Sequence, residues 1–209
     1  MKATFHHLPA DKRQKVIDSC IEEFSVYGYD KGSTDRIIKL SGISKGGLYE
    51  YIDSKEDLYL FIVEHCYNRL YDYIRSGMER QGKGFPKDIL ERFTAVYAVA
   101  IGFYLEHPGM IGFIAKTAAI TDPALKEKVQ AIFLKSYTSL FGDTETKTLA
   151  FSQQQILGLL QWLLSRTRND FLEEVGRSAD VERIKKNYFD DWAFFIEVLR
   201  NGIYKKQEK

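Results

Sequence analysis

The chain has 209 residues, 44% of them hydrophobic and 28% charged, with 30 basic against 29 acidic side chains and a net charge of +1. That balance excludes a disordered chain, a proline-rich linker and a strongly basic nucleic-acid coat; any contact with DNA must come from a local patch. Two cysteines, Cys20 and Cys66, make no disulfide framework and fit a reducing cytoplasm. The near-apolar run from Phe93 to Leu105 is too short to span a bilayer, and Met1 to Arg13 has no apolar signal core. A cytoplasmic protein with no membrane partner is expected.

Apolar residues recur at three- and four-residue spacing almost throughout, which predicts an all-α chain of about nine helices. Val16, Ile17, Cys20, Ile21 and Phe24 form one face of a first helix, with Pro9 and Asp11 at its start and Gly28 at its stop. His6 and His7, ahead of it, are expected to be disordered. Short helices follow at Thr34–Leu40 and Ser44–Tyr51, then a long one from Ser54 to about Arg80, opened by a Ser54/Asp57 capping box. Gly82, Gly84 and Pro86 mark a break. Further helices are predicted over Lys87–Glu106, Gly109–Ile120, Pro123–Phe141, Glu145–Glu174 and Val181–Tyr204. The change from short helices to long, aromatic-rich ones divides the chain into residues 1–53 and 54–209.

The segment from Gly32 to Lys55 is the most informative. Thr34 can cap one helix, Ile37 and Leu40 turn inward, and Gly42 in Ser41-Gly42-Ile43 suits a left-handed turn. Ser44 caps the next helix, from which Leu48 and Ile52 face the core. Two helices joined by a Gly-containing turn are a helix-turn-helix. Lys45, Gly46, Gly47, Tyr49 and Tyr51 form the outer face of the second helix. Its free N-terminal amides favour phosphate. Gly46 and Gly47 let the backbone approach a partner closely, at a cost in helix propensity. Lys45 can reach base edges or phosphate, and the tyrosine hydroxyls can reach phosphate. The same shape also occurs as a plain packing corner.

The series Phe24, Gly28-Tyr29-Asp30, Ser33-Thr34, Ile37, Ser41-Gly42-Ile43-Ser44-Lys45-Gly46-Gly47-Leu48-Tyr49, Tyr51-Ile52 and Ser54-Lys55-Glu56-Asp57-Leu58 resembles the N-terminal domain of TetR-type (tetracycline-repressor-like) transcriptional regulators. Ile38 departs from it, standing where the family usually has a small Ala. The resemblance implies a homodimer that puts one recognition helix per subunit into the major groove of a DNA operator. Carried over by position, it implies that Thr34 and Lys55 hold phosphates and that Tyr49 and Tyr51 stand at the groove wall. It places Asp35, Arg36, Lys45, Gly46 and Gly47 nearest the bases. Asp35 either accepts from a cytosine amino group or only decorates its helix start.

In the second domain the last two helices are apolar on more than one side. Ile184, Tyr188, Trp192, Phe195, Leu199 and Ile203 make one stripe and Phe189, Phe194 and Val198 another, while apolar residues from Ile156 to Leu164 nearly encircle the preceding helix. A second apolar face implies a partner, most simply a second copy, with full burial in a larger monomer as the alternative. Leu160, Leu164, Trp192, Phe195 and Leu199 are the candidate interface residues, and the resemblance implies a four-helix dimer interface from the same two helices. Tyr97, Phe103, Tyr104, His107, Phe113 and Trp162 are candidates to line a pocket for a small apolar or aromatic effector, as TetR-type regulators usually have; ordinary core packing is the alternative. His65 faces inward as a core histidine.

No phosphate-binding Gly loop, metal-ligand spacing or nucleophile elbow is present, so no enzyme, cofactor or metal is expected. The expected function is a TetR-type regulator, most simply a repressor that leaves a pseudo-palindromic operator when a small molecule binds. The alternatives are an architectural or division-linked DNA-binding protein on the same fold, or a helical ligand-binding protein that does not bind DNA.

Overall fold

A computed structural model describes residues 1–82, 84–178 and 180–204. Among them lie ten α-helices: α1 (Ala3–His6), α2 (Ala10–Lys31), α3 (Thr34–Ser41), α4 (Lys45–Tyr51), α5 (Lys55–Arg80), α6 (Ile89–Glu106), α7 (Pro108–Lys116), α8 (Pro123–Phe141), α9 (Gln153–Arg177) and α10 (Val181–Ile203). A 3-10 turn over Thr117–Ala119 follows α7. The one feature of β type among these residues is an isolated bridge between Leu149 and Tyr204. No single helix among them is long and apolar enough to cross a membrane. Two compact units result: Met1–Arg75 with Gly102–Leu140, and Ser76–Ile101 with the chain from Phe141 onward. They do not coincide with a cut at residue 54, because the head packs with part of the chain beyond it.

In the first unit α2 lies against α3 and α7. Phe24 of α2, Tyr59 of α5 and Phe113 of α7 form a buried cluster, with ring centroids 4.9 Å apart for Phe24–Tyr59 and 5.2 Å for Tyr59–Phe113. Offset and edge-on ring contacts of this kind favour one packing arrangement over others. The break at Gly28 (φ 68°) lies inside the span of α2, and the chain resumes helical hydrogen bonding to Lys31. Ser33, not Thr34, caps α3, accepting from the Arg36 amide; Thr34 is the first helical residue. Ile37 is buried as expected, but Leu40 is exposed, and the hydroxyl of Ser41 fills the inward position by donating to the Ile37 carbonyl at 2.7 Å. Gly42 closes α3 at φ 73°, a conformation that disfavours other residues, and donates to the Ile38 carbonyl.

His6 and His7 are not disordered. The first residues form α1, whose Phe5 is fully buried and packs edge-on to Phe61 at 5.4 Å. The capping at Ser54 is less reciprocal than a capping box. Its hydroxyl accepts from the Asp57 amide at 3.0 Å, while Asp57 reaches back to the amide of Asp53 at 3.3 Å.

In the second unit α6 starts at Ile89 rather than Lys87, because Asp88 accepts from the Leu90 and Glu91 amides at 3.0 and 2.9 Å. The Lys87 carbonyl instead accepts from the amide of Glu145 at 2.8 Å. The helix expected from Glu145 starts only at Gln153. The intervening stretch turns, makes the Leu149–Tyr204 bridge and ends in a complete Ser152/Gln155 capping box. Arg92 is buried, donating through Nε to the Pro86 carbonyl at 2.6 Å and pairing with Asp143. Asp143 also accepts from Lys87, and these two cations hold its carboxyl far below the usual carboxylate range.

Candidate DNA interface

The helix-turn-helix of α3 and α4 is held in place by polar contacts from outside it. Glu23 of α2 is buried and accepts from the Ser33 amide at 2.8 Å and from Arg36, through Nε at 2.9 Å and Nη2 at 2.5 Å. Arg36 Nη2 also donates to the Lys31 carbonyl at 2.8 Å, and the guanidinium lies 4.2 Å from the Tyr27 ring centre. The hydrogen bond that Arg36 donates to Glu23 pushes the guanidinium pKa further up. Arg36 is therefore engaged in fixing α3 to α2, with its side chain 45% exposed.

Lys55 differs from its expected role in the same way. Its Nζ donates to the carbonyls of Tyr29 at 2.8 Å and Gly32 at 3.3 Å, with the ammonium 4.4 Å from the Tyr29 ring centre. It joins the start of α5 to the end of α2. The C-terminal carbonyls of α4 are satisfied by α1 and the residue before it. Lys2 donates through Nζ to Tyr49 O at 3.2 Å and through its amide to Tyr51 O at 2.8 Å, and Thr4 donates to Glu50 O at 2.8 Å. These carbonyls have no partner within their own helix. Sequence reasoning missed this strap; the buried Phe5 in a polar leader was the available signal.

What remains outward on the motif is a small set. Lys45 and Asp35 form an exposed ion pair at 3.3 Å, weak enough for Lys45 to exchange its partner for a phosphate or a base. Gly46 faces open space. Gly47 has a local structural reason: a Cβ there would stand 3.1 Å from the Ser44 hydroxyl that caps α4 by accepting from the Gly47 amide. Tyr49 is 42% exposed, with its hydroxyl 3.5 Å from that of Thr34. Tyr51 is half-buried beside Phe5. The structure thus brings Thr34, Asp35, Lys45, Gly46 and Tyr49 onto one accessible surface and sets Arg36, Tyr51 and Lys55 into its supports.

The pocket candidates are distributed over both units. Phe113 belongs to the Phe24–Tyr59 cluster, and Phe103 packs between His107 at 4.5 Å and Tyr73 at 5.4 Å. Tyr104 is buried and His107 half-buried at the start of α7. Tyr97, in the second unit, lines a groove of about 590 Å³ between α6 and α10. Trp162 lines no part of that groove and is 66% exposed. Among the interface candidates, Leu160 and Trp192 are buried inside the subunit and Leu164, Phe195 and Leu199 are half-buried. The large apolar side chains exposed on α9 and α10 are instead Leu159, Trp162, Phe189, Phe194 and Val198. Among the described residues no cluster of His, Cys, Asp and Glu could hold a metal ion.

Comparison with known proteins agrees with this architecture. Residues 16–61 match the family of bacterial regulatory proteins described as the tetR family. Over 62 residues the chain is 40% identical to IcaR of Staphylococcus epidermidis, a negative transcriptional regulator of the biofilm operon icaADBC, covering 30% of this chain and 34% of that protein. Over 95 residues it is 35% identical to IcaR of Staphylococcus aureus, covering 41% and 51%. The match thus spans about half or less of these relatives' length. A tetR-family regulator structure from Chloroflexus aurantiacus superposes with a TM-score of 0.66 at 21% identity, over 98% of this chain and 99% of that one. FadR of Bacillus subtilis, solved with stearoyl-CoA, gives a TM-score of 0.66 at 13% identity over 86% and 96%. At these identities the likeness shows a shared fold.

Fold and site together define an all-α chain with a helix-turn-helix near its N-terminus. The head carries the sequence signature of the tetR family over residues 16–61, and the chain shares its fold with solved regulators of that family.

Proposed function

We propose that the chain is a transcriptional repressor in the cytoplasm, binding a pseudo-palindromic operator as a homodimer and leaving it when a small molecule binds. The observation that carries the DNA reading is the accessible surface of α3 and α4. There Lys45, an unobstructed Gly46 and the exposed Tyr49 stand on a motif fixed from behind by Glu23, Lys55 and the α1 strap. Lys45 is the base- or phosphate-reaching group, Thr34 and Tyr49 are hydroxyl donors to phosphate, and Asp35 releases Lys45 on contact. Arg36 and Lys55 position the motif.

The dimer reading rests on Leu159, Trp162, Phe194 and Val198, large apolar side chains left exposed on long helices. Trp162 at 66% and Phe194 at 61% exposure are the anchors expected of a self-complementary interface. Two-fold pairing would set the recognition helices roughly 34–36 Å apart, one helical turn of DNA. Effector release is supported by the groove beside Tyr97 and by the solved complex of FadR with stearoyl-CoA. It requires the effector to favour one head spacing by a few kcal/mol. Within the first unit the Phe24–Tyr59–Phe113 cluster makes α2 move with α5 and α7.

The test is selection of fragments of the source genome by the purified protein, followed by a salt titration on the enriched site. A two-fold symmetric motif with a steep salt slope is expected. No enrichment over random DNA, with effector absent, would overturn the proposal.

A further inference from the structure

We propose that Tyr27, on α2 and outside the helix-turn-helix, is a contact to the DNA backbone: its hydroxyl donates to a phosphate oxygen beside the Nη1 group of Arg36. The contact rests on the DNA binding proposed above and extends the binding surface to the helix that precedes the motif.

Tyr27 owes its order to Arg36. The buried Glu23 carboxylate accepts from Arg36 Nε at 2.9 Å and from Nη2 at 2.5 Å, and the Lys31 carbonyl accepts from Nη2 at 2.8 Å. A guanidinium has five N–H donors. The three on Nε and Nη2 are thus committed inward, and the two on Nη1 have no acceptor among the described residues. The guanidinium fixed in this way lies 4.2 Å from the centre of the Tyr27 ring. A cation over a ring face is attracted by the ring quadrupole, which holds the ring as well as the cation. Tyr27 is therefore ordered before DNA arrives, and an ordered side chain loses less freedom on binding.

The chemistry of the pair selects an anionic acceptor. Tyr27 is exposed, and its hydroxyl makes no hydrogen bond among the described residues. A ring that only shielded the Glu23–Arg36 pair would serve as well without a hydroxyl. Glu23, the negative member of that pair, is buried while the guanidinium is half exposed, so an approaching anion meets O–H and N–H donors rather than the carboxylate. Tyr27 belongs to α2, whereas the accessible surface with Lys45 and Gly46 belongs to α3 and α4, which places Tyr27 toward the backbone that flanks the bases. Thr34 and Tyr49, whose hydroxyls lie 3.5 Å apart, are the phosphate donors proposed above, and Thr34 opens α3 two residues before Arg36. Tyr27 adds a third hydroxyl to that set. Contacts of this kind to phosphate oxygens fix register and orientation on the duplex without reading sequence.

The experiment uses the full chain and the operator fragment that genomic selection enriches. Tyr27→Phe keeps the ring under Arg36 and removes only the hydroxyl, so urea unfolding should be unchanged. Affinity should fall about fivefold on the operator and on random duplex alike, as loss of one surface hydrogen bond to a charged group would. The salt slope should stay the same, because a hydroxyl displaces no counterion. Operator fragments that each carry one neutral methylphosphonate linkage then locate the phosphate. At one linkage per half-site the wild-type chain should lose about tenfold and Tyr27→Phe only about twofold, the remainder belonging to Arg36. At every other linkage the two proteins should lose alike. Equal penalties for both proteins at all linkages would overturn the proposal, since the hydroxyl would then act through the fold. A salt slope lower by one would also overturn it, because a cation would have left the interface. A wild-type chain that binds its operator no better than Tyr27→Phe removes this contact alone. A wild-type chain that selects no DNA removes the proposed function, and the contact with it.

Discussion

The head and the last two helices are built on opposite principles. Helices α3 and α4 have eight and seven residues, too short to hold a helical conformation without help. Their placement comes from directional hydrogen bonds: Glu23 to the start of α3, Lys55 to the end of α2, and the Lys2 and Thr4 strap on the end of α4. Helices α9 and α10 have 25 and 23 residues and are placed by aromatic and aliphatic packing, with Trp192 of α10 between Phe93 and Tyr97 of α6 at 5.0 and 4.9 Å. A motif fixed by directional bonds keeps its outer surface free for small and polar groups that meet a ligand of fixed shape. Long helices fixed by packing on one side keep apolar residues on another, where a partner can bury them.

The sharpest way to break this contrast is to remove one ring from each region. Phe113→Ala takes out the ring beside Phe24 and Tyr59 and should cost about 3–5 kcal/mol in urea unfolding. Trp162→Ala removes a larger side chain, but an exposed one. It should leave the folded subunit within about 0.5 kcal/mol while weakening dimerisation by about 30-fold in sedimentation equilibrium. A large loss of subunit stability from Trp162→Ala would mean that this face is part of the core.

Glu23→Ala tests the polar clamp. It leaves the Ser33 amide and the Arg36 guanidinium without their buried acceptor and should cost about 2–3 kcal/mol of stability. Operator affinity should fall further than stability alone accounts for, since α3 loses its anchor. Unchanged operator affinity in the folded variant would show that α3 needs no clamp to present its surface. Lys45→Ala touches only the outer surface. It should leave stability unchanged and alter discrimination at one base pair per half-site by about 1–3 kcal/mol. An equal loss on specific and random DNA would assign Lys45 to phosphate alone.

The features legible in the sequence were those whose physics is local. Gly42 must be glycine for its left-handed turn, Ser44 caps the short helix it precedes, and Ile37, Leu48 and Ile52 fall inward by spacing. The Leu40 error has the same origin: spacing placed it inward, but the Ser41 hydroxyl, bonded to its own helix, took the position. What was hidden depends on distant residues. Glu23 and Arg36 are 13 positions apart, and Thr4 and Glu50 are 46 apart. Periodicity made residues 156–164 of α9 apolar almost all round, so it could not tell which side chain faces out. The two tryptophans show the consequence: Trp192 was a candidate for the interface and is buried at 2% exposure, while Trp162 was a candidate for a pocket and is exposed. The coil before α9 was hidden because the Leu149–Tyr204 bridge that holds it lies outside any local pattern.

Lys55 carries the smallest expected effect and the finest test of the contrast, because sequence and structure give it different work. A lysine holding a phosphate releases about one counterion, so its loss should lower the salt slope of operator binding by about one. A lysine whose ammonium already donates to the Tyr29 and Gly32 carbonyls has a different signature. Lys55→Met keeps the length and apolar stem of the side chain and removes the charge-assisted hydrogen bonds. It should lower stability by about 1 kcal/mol, in keeping with a partly buried hydrogen-bonded group. Operator affinity should fall evenly across sequences as the junction of α2 and α5 loosens, with the salt slope unchanged. Urea unfolding and a salt titration on one operator fragment separate the two cases. A slope lower by one with stability intact would return Lys55 to the phosphate-binding surface and leave the α2–α5 junction held by packing alone.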